Sequence, residues 1–463
     1  MTPIELSAHE IARRVASGGI SAHAIVETML VRIASQNPEI NAFTDVIAGR
    51  ALSQADAIDA KRAKGEKLGP LAGVPYAVKN LFDIEGLPTR AGSKINRDLP
   101  PAKRDSFLGR RMNAADAICL GGLNMGEYAY DFTGENEHDG PSRNPHDRTR
   151  MAGGSSGGSG AAIASGMVPV ALGSDTNGSI RVPGALCGIF GLKPTYGRLG
   201  RSDTFPFVGS LDHLGPFARS AKDLALVYDA LQGADEADAG QTPRDIEPSF
   251  TNVGLGADGL RIAVGGGYFA QGGETVVFDA VARAAKALNA TREVILPEAQ
   301  RARAAAYTIT TIEGAQLHEK RLRTRAADFD PATRDRLLAG LMVPAAWYVK
   351  AQRFRRWYAD QVLKLFADVD AILLPATPCA APKLGQVTMN IGGQEMLVRP
   401  NLGIYTQPIS FIGLPVALAP IHTKGAMPLG VQIVAAPWRE DIALRVAYEL
   451  ERQGIATAPV AGL

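Results

Sequence analysis

Apolar positions along this chain fall into alternating helical and strand-like patterns. Behind Ser7-Ala8-His9-Glu10, which reads as a capping box, they recur at helical spacing. Helices are therefore expected over the first sixty residues, with a break at Asn37-Pro38, because proline lacks a backbone donor. Leu71–Val78 (LAGVPYAV) is an apolar run that predicts a short buried strand with Lys79 at its end. Arg110–Ala117 reads as helix and Ala117–Leu120 as strand. Thr133–Arg150 is a polar loop too long for a plain connector, which marks it for function. The glycine-rich Gly153–Gly160, a small-residue helix Ala161–Ser165 and a strand Val168–Leu172 follow, and the strand runs into Gly173–Ser179.

Strands alternating with helices predict an α/β fold with a mixed sheet. Residues 233–259, rich in Gly, Asp and Pro, read as a surface excursion. A strand restarts at Leu260–Val264, residues 275–290 and 300–366 read mainly as helix, and strands return at Ala371–Leu374, Pro415–Ala419 and Gly430–Val434. Core strands on both sides of the excursion favour one domain over residues 1–463, with a helical insertion at about 233–370.

Composition narrows the class. Hydrophobic residues make up 46% and charged residues 21%, so the chain is neither disordered nor fibrous. Lys+Arg (49) and Asp+Glu (47) nearly cancel, which gives no electrostatic case for nucleic acid or a membrane surface as partner. Cys119, Cys187 and Cys379 show no C-x-x-C or Cys/His spacing. They are expected to be free, buried thiols, with no metal site and no cofactor. The N-terminus lacks the pattern of a signal peptide, and the longest uncharged run, Met151–Ser174, is too rich in Gly and Ser to span a membrane. A cytoplasmic location is expected.

The chemistry concentrates in GGSSGGSG, residues 153–160. A phosphate cradle is weakly supported, since no G-x-x-x-x-G-K-[ST] is present. Gly153–Gly157 matches the G-x-S-x-G elbow of α/β-hydrolases, but the polar residues before it are not the required strand. A third reading pairs serines with a base. His138, His146 and His213 lie near in sequence but read as loop residues. Lys79, closing an apolar strand, is placed to lose its proton by desolvation. Taken alone, Lys79 reads as an ordinary salt-bridged lysine and each serine as a turn residue; the combination makes the case.

The segments GVPYAVKNLFD, AGGSSGGSGAA, GSDTNGSIRVPGALCGIFGLKPTYGR, SLDHLGP and MPLGVQI strongly resemble the amidase signature family of serine hydrolases. That resemblance implies a twisted mixed sheet covered by helices on both faces, with a variable segment at about 233–370. It also implies a Ser–Ser–Lys triad: Ser179 as nucleophile, Ser155 as bridging serine on a cis peptide after Gly154, and Lys79 as base. Backbone amides of Thr176, Asn177, Gly178 and Ser179 would form the oxyanion hole. Asn177 stands where the family usually has glycine. Asparagine tolerates positive φ, so the hole survives with a narrower mouth. Ser156 is expected to brace the loop, and Asp175 with Arg181 to form a structural pair.

With Lys79, Ser155 and Ser179 all present, a noncatalytic amidase-like scaffold is disfavoured. LAGVPYAVKNLFDIEG, AGSKINR, AWYVKAQRFRR and IVAAPW look like the carboxybiuret-hydrolysing branch that serves cyanuric acid degradation. The alternatives are a general small-amide amidase and the glutaminase subunit of tRNA-dependent amidotransferases. Such glutaminases hold the substrate's α-amine with a carboxylate where this chain has Gly403, and its carboxylate with an arginine that aligns with Arg355. Relatives of both branches work with a short, largely helical second subunit resembling the amidotransferase C subunit, so a similar partner is expected.

Overall fold

Short runs of buried apolar residues build a central sheet in the computed structural model, which describes residues 2–462. The first half comprises α1 (Ala8–Ala16), α2 (Ala22–Ile40), β1 (Phe43–Val46), α3 (Ala48–Ala63), β2 (Pro75–Lys79), α4 (Phe107–Ala114) and β3 (Ile118–Leu123). It continues through β4 (Arg143–Asn144), β5 (Asp147–Met151), α5 (Gly157–Ala164), β6 (Val170–Asp175), α6 (Arg181–Cys187), β7 (Phe190–Lys193), β8 (His213–Ala218) and α7 (Ala221–Leu231).

Next come β9 (Ile262–Gly265), α8 (Thr275–Ala287), β10 (Arg292–Val294), α9 (Ala299–Arg325), α10 (Pro331–Gly340) and α11 (Ala345–Leu365). The chain closes with β11 (Ala371–Pro375), β12 (Thr388–Ile391), β13 (Gln394–Leu397), α12 (Val398–Asn401), α13 (Gln407–Ser410), β14 (Val416–Ile421), β15 (Leu429–Ala435) and α14 (Glu440–Arg452).

Eleven strands form one sheet in the order β1-β3-β2-β6-β8-β7-β14-β15-β11-β9-β10. β2 runs parallel to β3 and β6, whereas β6/β8, β7/β14 and β14/β15 are antiparallel. Every residue of β2, β3, β6, β8, β14 and β15 is buried. Successive side chains point to opposite faces, so both faces of the sheet are covered.

Three sequence expectations shift. Pro38 does not end α2, which runs to Ile40 before Asn41 closes it in the left-handed region. Proline that late in a helix forfeits little of the ladder. The segment expected as a helical insertion also contributes β9 and β10 to the edge of the sheet. The polar loop Thr133–Arg150 contains the small β4–β5 hairpin. All three cysteines are buried and free, and among the described residues no helix is long and apolar enough to cross a membrane.

Candidate active site

The register of two parallel strands creates the site. Tyr76, Ala77 and Val78 of β2 pair with Val170, Ala171 and Leu172 of β6. Lys79 and Gly173-Ser174 therefore leave the pairing side by side. Lys79 Nζ lies 2.8 Å from Ser174 Oγ and 2.7 Å from Ser155 Oγ. The Gly154–Ser155 peptide is cis. Lys79 and Ser155 are 0% exposed, and burial pushes the Lys79 ammonium down to about 7; Asp175, Asp212 and Asp131 pull it back only in part. A large share of the amine is thus unprotonated near neutral pH. Ser174 carries no signal in the sequence, since it makes sense only once the two strands are paired.

Glycines at the site serve close packing. A Cβ on Gly154 would lie 2.4 Å from Asp131 Oδ2, and one on Gly158 would lie 2.5 Å from the backbone of Asn124 and Ala42. The helix expected at Ala161 consequently begins at Gly157, pressed against the main chain. Ser156 Oγ donates to the Ser174 carbonyl at 3.2 Å and accepts its amide at 3.4 Å, which braces the loop.

After β6 the chain turns through Thr176–Ile180. Among the described residues the amides of Thr176, Asn177, Gly178 and Ser179 have no acceptor within the fold. Gly178 sits at φ +142°, and a Cβ there would lie 2.1 Å from Thr406 Oγ1. Thr406 Oγ1 in turn donates to the Asn177 carbonyl at 2.7 Å. Asn177 is not in the positive-φ region, so its tolerance of that region is not what the turn uses. Instead its Nδ2 donates to Thr310 Oγ1 on α9 at 2.8 Å. Behind the turn, Asp175 and Arg181 form a fully buried bidentate pair at 2.9–3.0 Å. Burial alone would raise the Asp175 carboxyl, but the Arg181 charge and hydrogen bonds hold it well below its ordinary range.

Ser179, 3% exposed, lines a narrow cleft of about 20 Å³ with Tyr130, Asp131, Phe132, Phe207, Tyr307 and Arg336. Past Phe207, Ala129 and Thr176, which line both spaces, lies a chamber of about 180 Å³ bordered by Ser174, Arg201 and Asp212. Arg355 lines neither space: its Nη2 donates to the Ser210 carbonyl at 2.9 Å, and its guanidinium lies 6.0 Å from the Phe411 ring centre. No motif in the sequence points to Arg336. The histidines are engaged elsewhere: His138 with Glu127, His146 with the Cys187 carbonyl, and His213 through Nδ1 with the Asp175 and Leu211 carbonyls.

A mixed sheet that brings a buried lysine against a serine, beside a serine-bearing turn of unengaged amides, defines the class. The chain belongs to the Amidase family, whose pattern it matches over residues 24–444. It is 54% identical over 449 residues to the 1-carboxybiuret hydrolase subunit AtzE of Pseudomonas sp. (strain ADP), covering 96% of this chain and 98% of that protein. It is 35% identical over 460 residues to the glutaminase-type relative from Koribacter versatilis (strain Ellin345), the A subunit of its glutamyl-tRNA(Gln) amidotransferase, covering 93% and 95%. A solved structure described as a vestigial protein complex that reveals the evolutionary origins of an s-triazine catabolic enzyme has TM-score 0.97 at 53% identity, covering 98% of this chain and all 100% of the other.

Proposed function

We propose that this amidase releases ammonia from 1-carboxybiuret through Ser179, Ser155 and Lys79. The observation that carries the mechanism is a desolvated Lys79 amine 2.7 Å from Ser155 Oγ. Neutral Lys79 takes the proton of Ser155 while Ser155 takes that of Ser179. The Ser179 oxygen bonds to the amide carbon, and the carbonyl electrons move onto an oxyanion facing the amides of Thr176–Ser179. As the intermediate collapses, the carbon–nitrogen bond breaks and the relayed proton leaves with ammonia. Water then cleaves the acyl-enzyme, and a carboxylate replaces the terminal amide.

The substrate assignment is supported by the likeness to the 1-carboxybiuret hydrolase AtzE and by the cleft itself. An α-amino acid amide needs a free carboxylate for its amine. At Gly403 a Cβ would lie 2.4 Å from the Phe132 ring, so the aromatic fills the space that an acidic side chain would need. Asp131, which lines the cleft, is engaged by Arg399, Thr133 and Gly134. Ammonia release from 1-carboxybiuret, biuret, glutamine and an aryl amide tests the assignment. The first is expected to give by far the highest kcat/KM; glutamine matching it would overturn the reading. A fluorophosphonate that labels wild type but not Ser179→Ala checks the nucleophile.

A helical companion subunit belongs to the same proposal. Leu338, Leu341, Met342 (83% exposed), Trp347 (57%) and Val349 crowd the α10–α11 turn, more apolar surface than one turn usually shows to water. Expressed alone, the chain is expected to self-associate. A monodisperse, fully active isolated chain would count against the companion.

A further inference from the structure

Resting on the reading of the substrate as an anionic amide, we infer that Arg336 binds the substrate's carboxylate and so sets the preference for it. Substrate charge must be met by a cation that reaches the Ser179 cleft and has hydrogen-bonding capacity to spare. Arg336, on α10, lines that cleft with Ser179. Its guanidinium lies 3.8 Å from the centre of the Tyr130 ring. Nε donates to the Ala332 carbonyl at 2.7 Å and Nη2 to the Tyr130 carbonyl, whereas Nη1 meets no acceptor among the described residues. No carboxylate pairs with it among them either, so the cleft keeps one uncompensated positive charge.

The competing cations are committed. Arg201, in the neighbouring chamber, is held by both oxygens of Asp238 at 2.9–3.0 Å. Arg399 is paired with Asp131 at 2.7 Å. Arg355 is held at the Ser210 carbonyl, outside the lining of the cleft. A guanidinium fixed against an aromatic face with one edge free is suited to a planar carboxylate, since its donors are already oriented. The Glu127 carboxylate, accepting the Asp330 amide at 2.8 Å, ties the start of α10 to the core and so holds Arg336 in place.

The test compares Arg336→Ala and Arg336→Lys with wild type on 1-carboxybiuret and on biuret, the same chain without the carboxylate. Arg336→Ala is expected to lower kcat/KM for 1-carboxybiuret about 10- to 100-fold, mainly through KM, and to change biuret turnover less than about threefold. Arg336→Lys should recover part of the loss, because a point charge replaces a fork. Labelling of Ser179 by a neutral fluorophosphonate should proceed at the wild-type rate in both variants, which reports an intact fold and triad. Malonate should protect wild-type Ser179 from that label and fail to protect Arg336→Ala. Should wild type ignore 1-carboxybiuret while malonate protection still depends on Arg336, the substrate name falls and the inference stands. Equal losses on both substrates, or malonate protection unchanged in Arg336→Ala, would overturn it. So would a selective loss appearing in Arg355→Ala instead.

Discussion

Desolvation sets the proton affinity of Lys79, and the sign of its effect on rate follows. The amine accepts a proton only when neutral, and with its pKa near 7 the neutral share climbs between about pH 6 and 8. kcat/KM should therefore rise through pH 7, and Lys79→Met should abolish the reaction rather than shift this limb. Ser174 accepts from the same amine and aims its lone pair at Ser155. Ser174→Ala should lower kcat about fivefold, the effect of one hydrogen bond worth ~1 kcal/mol, and leave KM unchanged. Steady-state kinetics separates the two; a raised KM with kcat intact would show that Ser174 touches substrate rather than Lys79.

At the scale of elements, the turn after β6 is shaped by α13. Gly178 at φ +142° lets the main chain pass against Thr406. Gly178→Ala brings a methyl within 2.1 Å of Thr406 Oγ1 in a backbone region alanine resists. Loss of ~1–3 kcal/mol of stability and at least tenfold in kcat is expected. Thermal melting with single-turnover rates would check it, and a variant matching wild type in both would contradict the close fit. Strands β2, β6, β11, β14 and β15 were legible from their apolar runs. β7 and β8 were not, because Gly191, Gly215 and Pro216 have loop character until neighbouring strands pair with them on both sides. The motif residues Lys79, Ser155 and Ser179 stand out in the sequence. Ser174 and Arg336 do not, since nothing local ties either to the residues it meets in the fold.

For the whole molecule, buried amines couple folding to pH. Lys193, at the end of β7, is pushed down to about 7 by burial and by the Arg181 charge. Its folded pKa lies below its unfolded value, so above pH 7 the unfolded chain holds more protons and stability rises with pH. The penalty is full below pH 7 and fades towards pH 10. Cys119, raised by burial to about 12, opposes this above pH 9, where the unfolded thiol ionises. Lys193→Met removes the penalty, so its gain in Tm over wild type should be largest at pH 6–7 and shrink by pH 9. A gain independent of pH would mean that Lys193 is not buried as a strained cation.

The neutrality of Lys79 depends on walls that never touch substrate. Leu81, Phe207 and Leu214 border the chamber that Ser174 also lines. Thinning that wall would admit water and hand the amine back its charge. Drift at such positions would surface as a more alkaline working range rather than as lost affinity. In lineages descended from this fold, the acidity of the habitat would then be recorded in oily residues, while the three reacting groups stay the same.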